Sequence, residues 1–194
     1  MRLTDHLMDR IYGERKRSIY KRLPRTVVEI GPGAGANFRY YPPGTKVIAI
    51  EPNTAMHSHL RARAQQHNIY LEIKTMKGET IDLPDSSVSA VVGTLVLCTV
   101  EDPPKVVSEI RRILKPRGRY LFVEHVAAMP DTKSRKFQEV LFGTWRWMSK
   151  GCHLNRDTHQ TIEQAGFTTV DMDCFNMQSR WVPFRPHIFG NAIN

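Results

Sequence analysis

Three glycines alternate along one short stretch of the chain, at Gly31, Gly33 and Gly35. Glycine lets the backbone adopt positive φ and lets a ligand approach the main chain without a Cβ in the way. The stretch follows the β-branched run 27–30, so it lies where a strand passes into a turn. Its G-x-G-x-G spacing differs from the dinucleotide fingerprint and from the Walker loop. The spacing therefore predicts either a nucleotide-type binding turn or an ordinary tight turn, and the surrounding residues must decide.

Three glutamates fall in or after the first three predicted strands. Glu51, after the second strand, could accept hydrogen bonds from both hydroxyls of a ribose. Glu79, after the third strand, could accept one from the exocyclic amine of adenine. Glu29 lies inside the first strand, where a buried unpaired carboxylate would be costly, so a backbone donor, a ligand amine or a lysine must meet it. Each acid alone could be a solvated or paired structural residue. Together they indicate a ligand that carries an amine, a ribose and an adenine and needs no phosphate.

A second set of side chains could serve the molecule that reacts with this ligand. His125, at the end of the fifth strand, and His187, before the last strand, are candidate general bases, and the alternative for each is a hydrogen-bonded structural histidine. Cys98 either lines an acceptor pocket or is a small buried hydrophobe. Trp145 and Trp181 lie in segments expected to cover the ligand, and we expect at least one of them to border the acceptor.

The elements that would hold these residues alternate between strand and helix. Strands are predicted at 27–30, 47–50, 69–75, 88–97, 120–124, 170–175 and 187–193, and helices near 54–64, 103–114, 131–149 and 156–165. The run 88–97 is almost continuously apolar, which predicts the centre of the sheet. Five β–α units followed by a terminal hairpin predict an α/β fold, doubly wound, with a mostly parallel Rossmann-like sheet and a C-terminal antiparallel strand. In such a sheet the ligand belongs at the carboxyl ends of the strands.

The first 25 residues have a different composition from the rest. They hold eight Lys and Arg against three acids, with apolar residues at roughly helical spacing. The members of this apolar stripe are Leu3, Leu7, Met8, Ile11, Ile19 and Leu23. We predict a basic amphipathic helix over 1–25 and one α/β domain over 26–194. The helix either packs over the domain with a solvated basic face, acts as a lid, or contacts an anionic membrane surface.

Composition also restricts the class of protein. No stretch approaches the roughly 18 to 20 apolar residues of a membrane span, and the N-terminus carries charges where a signal peptide needs its apolar segment. The three cysteines, Cys98, Cys152 and Cys174, form no metal-type pair along the chain and leave an odd thiol. We therefore expect a soluble, cytoplasmic protein with no metal site.

Several motifs, in order and spacing, resemble those of class I S-adenosylmethionine-dependent methyltransferases. They are Glu29-Ile-Gly-Pro-Gly-Ala-Gly, Glu51-Pro-Asn, Gly78-Glu79 with Leu83-Pro84, the strand ending Thr94-Leu-Val-Leu-Cys-Thr, and Leu114-Lys-Pro-Arg-Gly. Within that superfamily, four stretches resemble the animal microsomal alkyl-thiol methyltransferases. These are 35–44, Thr94 to Cys98, Glu124-His-Val-Ala-Ala and Arg185-Pro-His-Ile-Phe-Gly. The resemblance covers essentially the whole chain.

The resemblance implies S-adenosylmethionine as cofactor, S-adenosylhomocysteine as product, and a role for each matching residue. The three glycines would admit the methionine and ribose portions, Glu29 would help position the amino group, Glu51 would bind the ribose, and Glu79 would lie by the adenine. Pro52 and Gly78 complete the cofactor motifs, and Thr94 and Leu95 would line the sulfonium and the methyl group. The acceptor pocket is expected to include Cys98, His125, Trp145, Trp181 and His187, with His125 as candidate catalytic residue.

The sequence departs from this family at two points. The animal proteins begin with a hydrophobic membrane anchor that this sequence lacks, which implies a soluble relative. Arg117 stands where the superfamily usually has Gly, a difference expected to affect only the turn.

Three functions compete at this point. The motifs favour methyl transfer to a small-molecule thiol by in-line displacement. The basic N-terminal helix leaves open a phospholipid head group or another amine or hydroxyl acceptor. The net charge of +9 alone suggests a nucleic-acid methyltransferase or binding module, but Thr94-Leu-Val-Leu stands where base-modifying enzymes commonly carry Asn/Asp-Pro-Pro-aromatic. The expected partners are therefore a small-molecule substrate and no nucleic acid, and peripheral contact of the helix with anionic membrane stays an open alternative. The sequence does not indicate the oligomeric state.

Overall fold

The computed structural model describes residues 2–149, 151–177 and 186–194. Seven strands form its sheet: β1 Thr26–Ile30, β2 Lys46–Ile50, β3 Tyr70–Lys74, β4 Val88–Thr94, β5 Leu114–His125, β6 Thr169–Asn176 and β7 Pro186–Ile193. Five helices surround it: α1 Arg2–Tyr20, α2 His57–Gln66, α3 Pro103–Ile113, α4 Lys133–Met148 and α5 Thr158–Glu163. Short 3₁₀ turns lie at Phe38–Tyr40 and Thr54–Met56. No helix of the described part is long and apolar enough to cross a lipid bilayer.

The strand order is β3-β2-β1-β4-β5-β7-β6, and β7 lies antiparallel to both of its neighbours. The doubly wound sheet with a C-terminal antiparallel strand is therefore confirmed, as is the central position of β4. The order reverses between β1 and β4, so the carboxyl ends of these neighbours leave a crevice between their outgoing loops. The predicted ligand site lies at this edge.

Successive side chains along each strand point to opposite faces of the sheet, and both faces are buried. On β1, Val27 packs in a cluster with Tyr20 of α1 and Leu60 of α2. The next residue, Val28, points to the opposite face and packs in a cluster with Val106 of α3. This period of two gives a layer of helices on each side of one sheet.

The prediction of five β–α units was partly wrong. The connection from β1 to β2 contains only a 3₁₀ turn, and residues 75–87 between β3 and β4 form turns without an α-helix. Strand β4 also ends at Thr94 rather than at residue 97. Leu95 takes a φ of 53°, and the N–H of Val96 donates to a Glu124 carboxylate oxygen at 3.0 Å instead of extending the strand. The apolar run is therefore a central strand followed by a buried turn.

Two helices are rotated relative to the apolar faces that their sequences predict, and for the helix near 131–149 the predicted face carries Phe137, Val140, Leu141, Trp145 and Met148. In α4, Gln138 is fully buried, and its side-chain oxygen accepts from the N–H of Ala128 at 2.8 Å. Val140 and Met148 are 79% and 64% exposed. In α1, the buried face carries Tyr12, Lys16 and Tyr20. The predicted Ile11 and Ile19 are only half-buried. The side chains of Leu3, Leu7 and Met8 lie outside the described part.

Candidate functional site

A cleft of about 310 Å³ opens at the carboxyl ends of β1, β2 and β4. Six of the residues predicted from the motifs line it: Gly31, Glu51, Pro52, Gly78, Glu79 and Leu95. The remaining lining residues are Ile30, Ile50, Lys77, Val96, Thr99, Val100 and Glu101. Four predicted cofactor residues, Glu29, Gly33, Gly35 and Thr94, do not line this cleft and lie on neighbouring segments.

The glycine loop requires positive φ at all three of its glycines, with values of 60° at Gly31, 55° at Gly33 and 79° at Gly35. A Cβ on Gly31 would lie 2.5 Å from Cγ2 of Val96, whereas one on Gly33 would meet no atom within 4 Å. The first glycine is therefore required by packing as well as by backbone conformation. The second leaves open space beside the main chain.

Glu51 holds this loop in place. Its Oε2 accepts from the N–H of Gly33 at 2.9 Å, and its Oε1 accepts from the N–H of Asn53 at 2.9 Å. The side chain is buried at the end of β2, where two backbone donors compensate its desolvation. One carboxylate thus fixes the relative positions of the β1 and β2 loops that form the cleft.

Glu29 is buried in a polar network beneath α1. Its Oε1 accepts from Asn37 Nδ2 at 2.7 Å and its Oε2 from the Tyr41 hydroxyl at 2.7 Å. Lys16 Nζ donates to Asn37 Oδ1 at 2.7 Å. The hydrogen-bond partners of Glu29 are thus an amide and a phenol, in place of the predicted backbone donor or lysine. Lys16 reaches Glu29 only through Asn37. Burial raises the pKa of Glu29 to about 7 although both hydrogen bonds oppose this, and burial lowers the pKa of Lys16 to about 8.

Thr94 belongs to the same network. Its Oγ1 accepts from Asn37 Nδ2 at 3.0 Å and lies 3.2 Å from the Tyr20 hydroxyl. The side chain at the end of β4 is thereby joined to the loop that follows the third glycine and to α1.

Glu79 organises the opposite rim of the cleft. Its Oε1 accepts from the N–H groups of Glu101 and Asp102, at 3.0 and 3.3 Å. Lys77 Nζ donates to Glu101 at 2.7 Å. The loop after β3 is thus tied to the segment that leads into α3, where Asp102 is the N-cap and accepts from the N–H of Lys105.

The structure gathers a sulfur and imidazole group beside the cleft that chain spacing did not reveal. Cys98, His125 and Cys152 place their Sγ, ring nitrogen and Sγ atoms within 4.8 Å of one another. His125 Nε2 lies 3.0 Å from Cys152 Sγ. The expectation that the cysteines form no metal-type group was based on distances along the chain, and Cys98 and Cys152 are brought together only by the packing of the segment after α4 on the turn after β4.

Hydrogen bonding makes the two thiols of this group different. Cys98 donates toward Cys152, which raises the pKa of Cys98 well above its usual range. The same bond, with those from His125 and Trp145, holds the pKa of Cys152 below its usual range. Trp145, a predicted acceptor residue, therefore contacts the group, and Cys152, which the sequence reasoning did not include, lies at its centre.

His187 lies next to this group on the neighbouring strand. It is the register partner of His125, the two ring centroids are 6.2 Å apart, and its Nε2 lies 2.7 Å from the Tyr12 hydroxyl of α1. Four of the five predicted acceptor residues are thus in one region, and His187 lies against the first helix. The fifth, Trp181, lies outside the described residues.

The turn after β4 is held from several sides. Arg156 Nη1 donates to the carbonyl oxygens of Leu97 and Val100, both at 2.6 Å, and the N–H of His153 donates to the carbonyl of Cys98 at 2.8 Å. Leu95, on the cleft side of this turn, has its N–H bound to the carbonyl of Val123 at 2.8 Å. The turn is therefore fixed in place, with Leu95 at the cleft and Cys98 in the sulfur and imidazole group.

Comparison with known proteins agrees with this geometry. A family model described as "Methyltransferase domain" matches residues 28–122. An S-adenosylmethionine-dependent methyltransferase from Mesorhizobium loti has the same fold, with a TM-score of 0.66, 17% identity, and coverage of 94% of this chain and 97% of that one. The glycine loop and the cleft at the reversal of strand order complete the evidence for the class. The chain therefore carries a methyltransferase domain with the fold of S-adenosylmethionine-dependent methyltransferases.

Two curated relatives place it more narrowly. Thiol S-methyltransferase TMT1B of Rattus norvegicus is 40% identical over 171 residues, covering 87% of this chain and 70% of the relative. Thiol S-methyltransferase TMT1A of Homo sapiens is 36% identical over 171 residues, with the same coverage. The chain belongs to this family of thiol S-methyltransferases.

Proposed function

We propose that this enzyme transfers the methyl group of S-adenosylmethionine to the sulfur of a small-molecule thiol. The observation that carries the proposal is the identity of 40% to a thiol S-methyltransferase over 87% of the chain. The arrangement of the site supports it, because the turn that lines the cleft with Leu95 and Thr99 also carries Cys98 toward His125. A small acceptor held beside His125 and Trp145 would therefore lie next to the turn that lines the cofactor cleft.

The polar groups at the cleft support binding of the cofactor there. We assign the ribose to Glu51, whose carboxylate is buried at the cleft between the first two loops, and the adenine to the rim formed by Pro52, Gly78 and Glu79. The open space beside Gly33 suits a ligand that lies against the main chain. When bound, S-adenosylmethionine supplies a methyl group activated by positively charged sulfur.

The methionine portion would lie over the glycine loop, toward Thr94 and Leu95. We assign Glu29 an indirect part, since its two oxygens hold Asn37 and Tyr41. Asn37 in turn fixes Thr94 at the end of β4. Gly35, with a φ of 79°, lets the chain turn into this network.

The acceptor needs little help to become a nucleophile. A thiol with a pKa of about 8.5 is partly ionised at neutral pH, so no strong general base is required. We assign His125 the orientation of the acceptor sulfur, and the main contribution of the protein is then alignment of that sulfur with the methyl group.

We further propose that α1 covers the acceptor side and contacts anionic lipid with its outer face. Tyr12 and Lys16 are buried against the domain, whereas Arg10, Arg15 and Arg17 are exposed. Sedimentation with vesicles of anionic or neutral lipid, for the intact chain and for a variant with these three arginines changed to Gln, tests this. Binding to anionic vesicles that the variant loses supports the contact, and equal recovery of both proteins contradicts it.

The test of the thiol acceptor is a comparison of matched small molecules. Labelled S-adenosylmethionine is incubated with the enzyme and an alkyl thiol, or with the alcohol or primary amine of the same carbon skeleton. We expect a labelled methyl thioether and no labelled ether or methylamine. Transfer to the amine or alcohol without transfer to the thiol would overturn the proposal.

A further inference from the structure

The group formed by Cys98, His125 and Cys152 has no part in the cofactor assignments. Among the described residues it is the one set of three or more His, Cys, Asp or Glu side chains whose ligand atoms lie close enough to share an ion, all within 4.8 Å. Its members come from three separate segments: the turn after β4, the end of β5 and the segment after α4. Three ligand-type side chains from separate segments, largely buried and close together, form a candidate binding site.

From this geometry we propose that Cys98, His125 and Cys152 bind one thiophilic divalent cation, with zinc as the expected metal, and leave its fourth position open to the acceptor sulfur. Two thiolates and one imidazole are ligands that zinc prefers. Structural zinc sites are closed by four protein ligands, whereas catalytic sites have three and an exchangeable position. The set here has three.

The distances agree with a tetrahedral ion. Zinc lies about 2.3 Å from thiolate sulfur and about 2.0 Å from imidazole nitrogen, which places the ligand atoms about 3.5 Å from one another. His125 Nε2 and Cys152 Sγ are already 3.0 Å apart, and the third ligand atom lies within 4.8 Å of both. Only small side-chain adjustments would therefore be needed.

The surrounding structure holds the three residues in place. The carbonyl of Cys98 accepts from the N–H of His153, the residue that follows Cys152. His125 ends β5 in register with His187. Arg156, which binds the carbonyls on either side of Cys98, brings a positive charge close to the two thiolates. The site is thus built on fixed backbone and has a cation in its outer shell.

The consequence for catalysis rests on the proposed function. A thiol that binds the ion at its open position loses its proton to solvent and is held as a thiolate. Its sulfur forms a bond to the methyl carbon while the carbon–sulfonium bond breaks and gives its electron pair to the cofactor sulfur. The products are a neutral methyl thioether, a weak ligand that can leave, and S-adenosylhomocysteine.

The experiment measures metal binding directly on the full chain, without acceptor. The protein is reduced, stripped with a chelator and titrated with Zn²⁺, and the stoichiometry is read by native mass spectrometry. Titration with Co²⁺ reports sulfur coordination through its thiolate charge-transfer absorption. We expect one equivalent of metal and the charge-transfer band. Absence of stoichiometric binding would overturn the proposal.

Variants identify the ligands. Cys152→Ser and His125→Gln should each weaken Zn²⁺ binding by about 100-fold or more, since loss of a direct ligand exceeds the effect of an outer partner. Cys174→Ser, which removes an exposed cysteine on β6, is the matched control and should bind as the parent does. Circular dichroism and S-adenosylhomocysteine binding show whether each variant is folded. Folded Cys152→Ser protein with unchanged zinc affinity would contradict the site, as would loss of binding in Cys174→Ser.

A final comparison separates this site from the proposed function. Metal-free and zinc-reconstituted enzyme are assayed with the same thiol, and we expect transfer to be restored by zinc. If zinc binds through these residues but neither form methylates any thiol, the ion site is supported and the thiol acceptor is overturned. If the metal-free enzyme methylates the thiol at the full rate, the thiol acceptor is supported and the role of the open position is overturned.

Discussion

Substitutions in the glycine loop can show separately which glycine is needed for packing and which is needed for ligand binding. Gly31 and Gly33 have nearly the same φ, 60° and 55°, so alanine at either position costs about 1–2 kcal/mol for left-handed backbone. At Gly31 the new Cβ would also lie 2.5 Å from Cγ2 of Val96, and overpacking of this kind costs about 1–3 kcal/mol more. Gly31→Ala should therefore lower the free energy of unfolding by about 2–5 kcal/mol, and Gly33→Ala by about 1–2 kcal/mol.

Gly33→Ala should weaken ligand binding, although it costs less stability than Gly31→Ala. The Cβ of Gly33→Ala would enter the open space beside the glycine loop, where we place the methionine portion of the cofactor, so we expect affinity for S-adenosylhomocysteine to fall about tenfold, equivalent to about 1.4 kcal/mol. Gly44 is the matched control, since its φ is 83°, its Cβ would also meet nothing within 4 Å, and it precedes β2 at the opposite edge of the sheet. Gly44→Ala should lose as much stability as Gly33→Ala and no affinity.

The assays are urea unfolding and isothermal titration calorimetry with S-adenosylhomocysteine. A double-mutant cycle isolates the clash, because Gly31→Ala should cost only about 1–2 kcal/mol when Val96 is already Ala. Equal losses of stability for Gly31→Ala and Gly33→Ala would refute the packing argument. Equal affinities for Gly33→Ala and Gly44→Ala would refute the placement of the cofactor.

Three further predictions follow from single residues. Glu51→Ala should raise the Kd for S-adenosylhomocysteine by about 10- to 100-fold, since it removes the acceptor for the glycine loop as well as the assigned ribose contact. Glu72→Ala breaks only the half-exposed pair with Lys46 and should leave the calorimetric affinity unchanged. Equal effects of the two substitutions would contradict the assignment. The raised pKa of Glu29, about 7 against an ordinary 4.5, means that folding favours its protonated form, so its contribution is present below about pH 4.5 and is lost as pH rises through 7. The free energy of unfolding of the parent minus that of Glu29→Gln should thus fall by up to about 3 kcal/mol over this range, and a pH-independent difference in urea titrations would refute the burial argument. Arg117→Gly should raise the free energy of unfolding by about 0.5–1 kcal/mol, because Arg117 has a φ of 63°, and a loss of stability would contradict this.

The features that the sequence predicted well depend on local pattern. The strand that ends before Gly31, and the one that ends before Glu51, are short apolar runs with clear stops, so the positions of both residues at the cleft followed from periodicity and fold rules. Gly78 and Glu79 followed from the motifs that the family shares. In these cases the pattern that predicts the role of a residue lies in the same segment as the residue itself.

The features that the sequence did not reveal depend on contacts between distant segments. Cys152 meets His125 only because the segment after α4 folds back on the turn after β4. Lys16 looked like part of a solvated basic face, but the Asn37 amide and the nearby Glu29 carboxylate compensate its burial. The exposed side of α4 was mispredicted because Gln138, a polar residue, is needed to bind a backbone N–H. Hydrophobic periodicity carries no information about such polar contacts.

The most direct test of this account is a crystal structure with S-adenosylhomocysteine bound. We predict its ribose on the Glu51 carboxylate, its adenine at the Gly78 and Glu79 rim, and its sulfur at Leu95, directed toward His125. A nucleoside bound elsewhere, or a sulfur directed away from the turn that carries Cys98, would contradict the placement of cofactor and acceptor on the two sides of that turn.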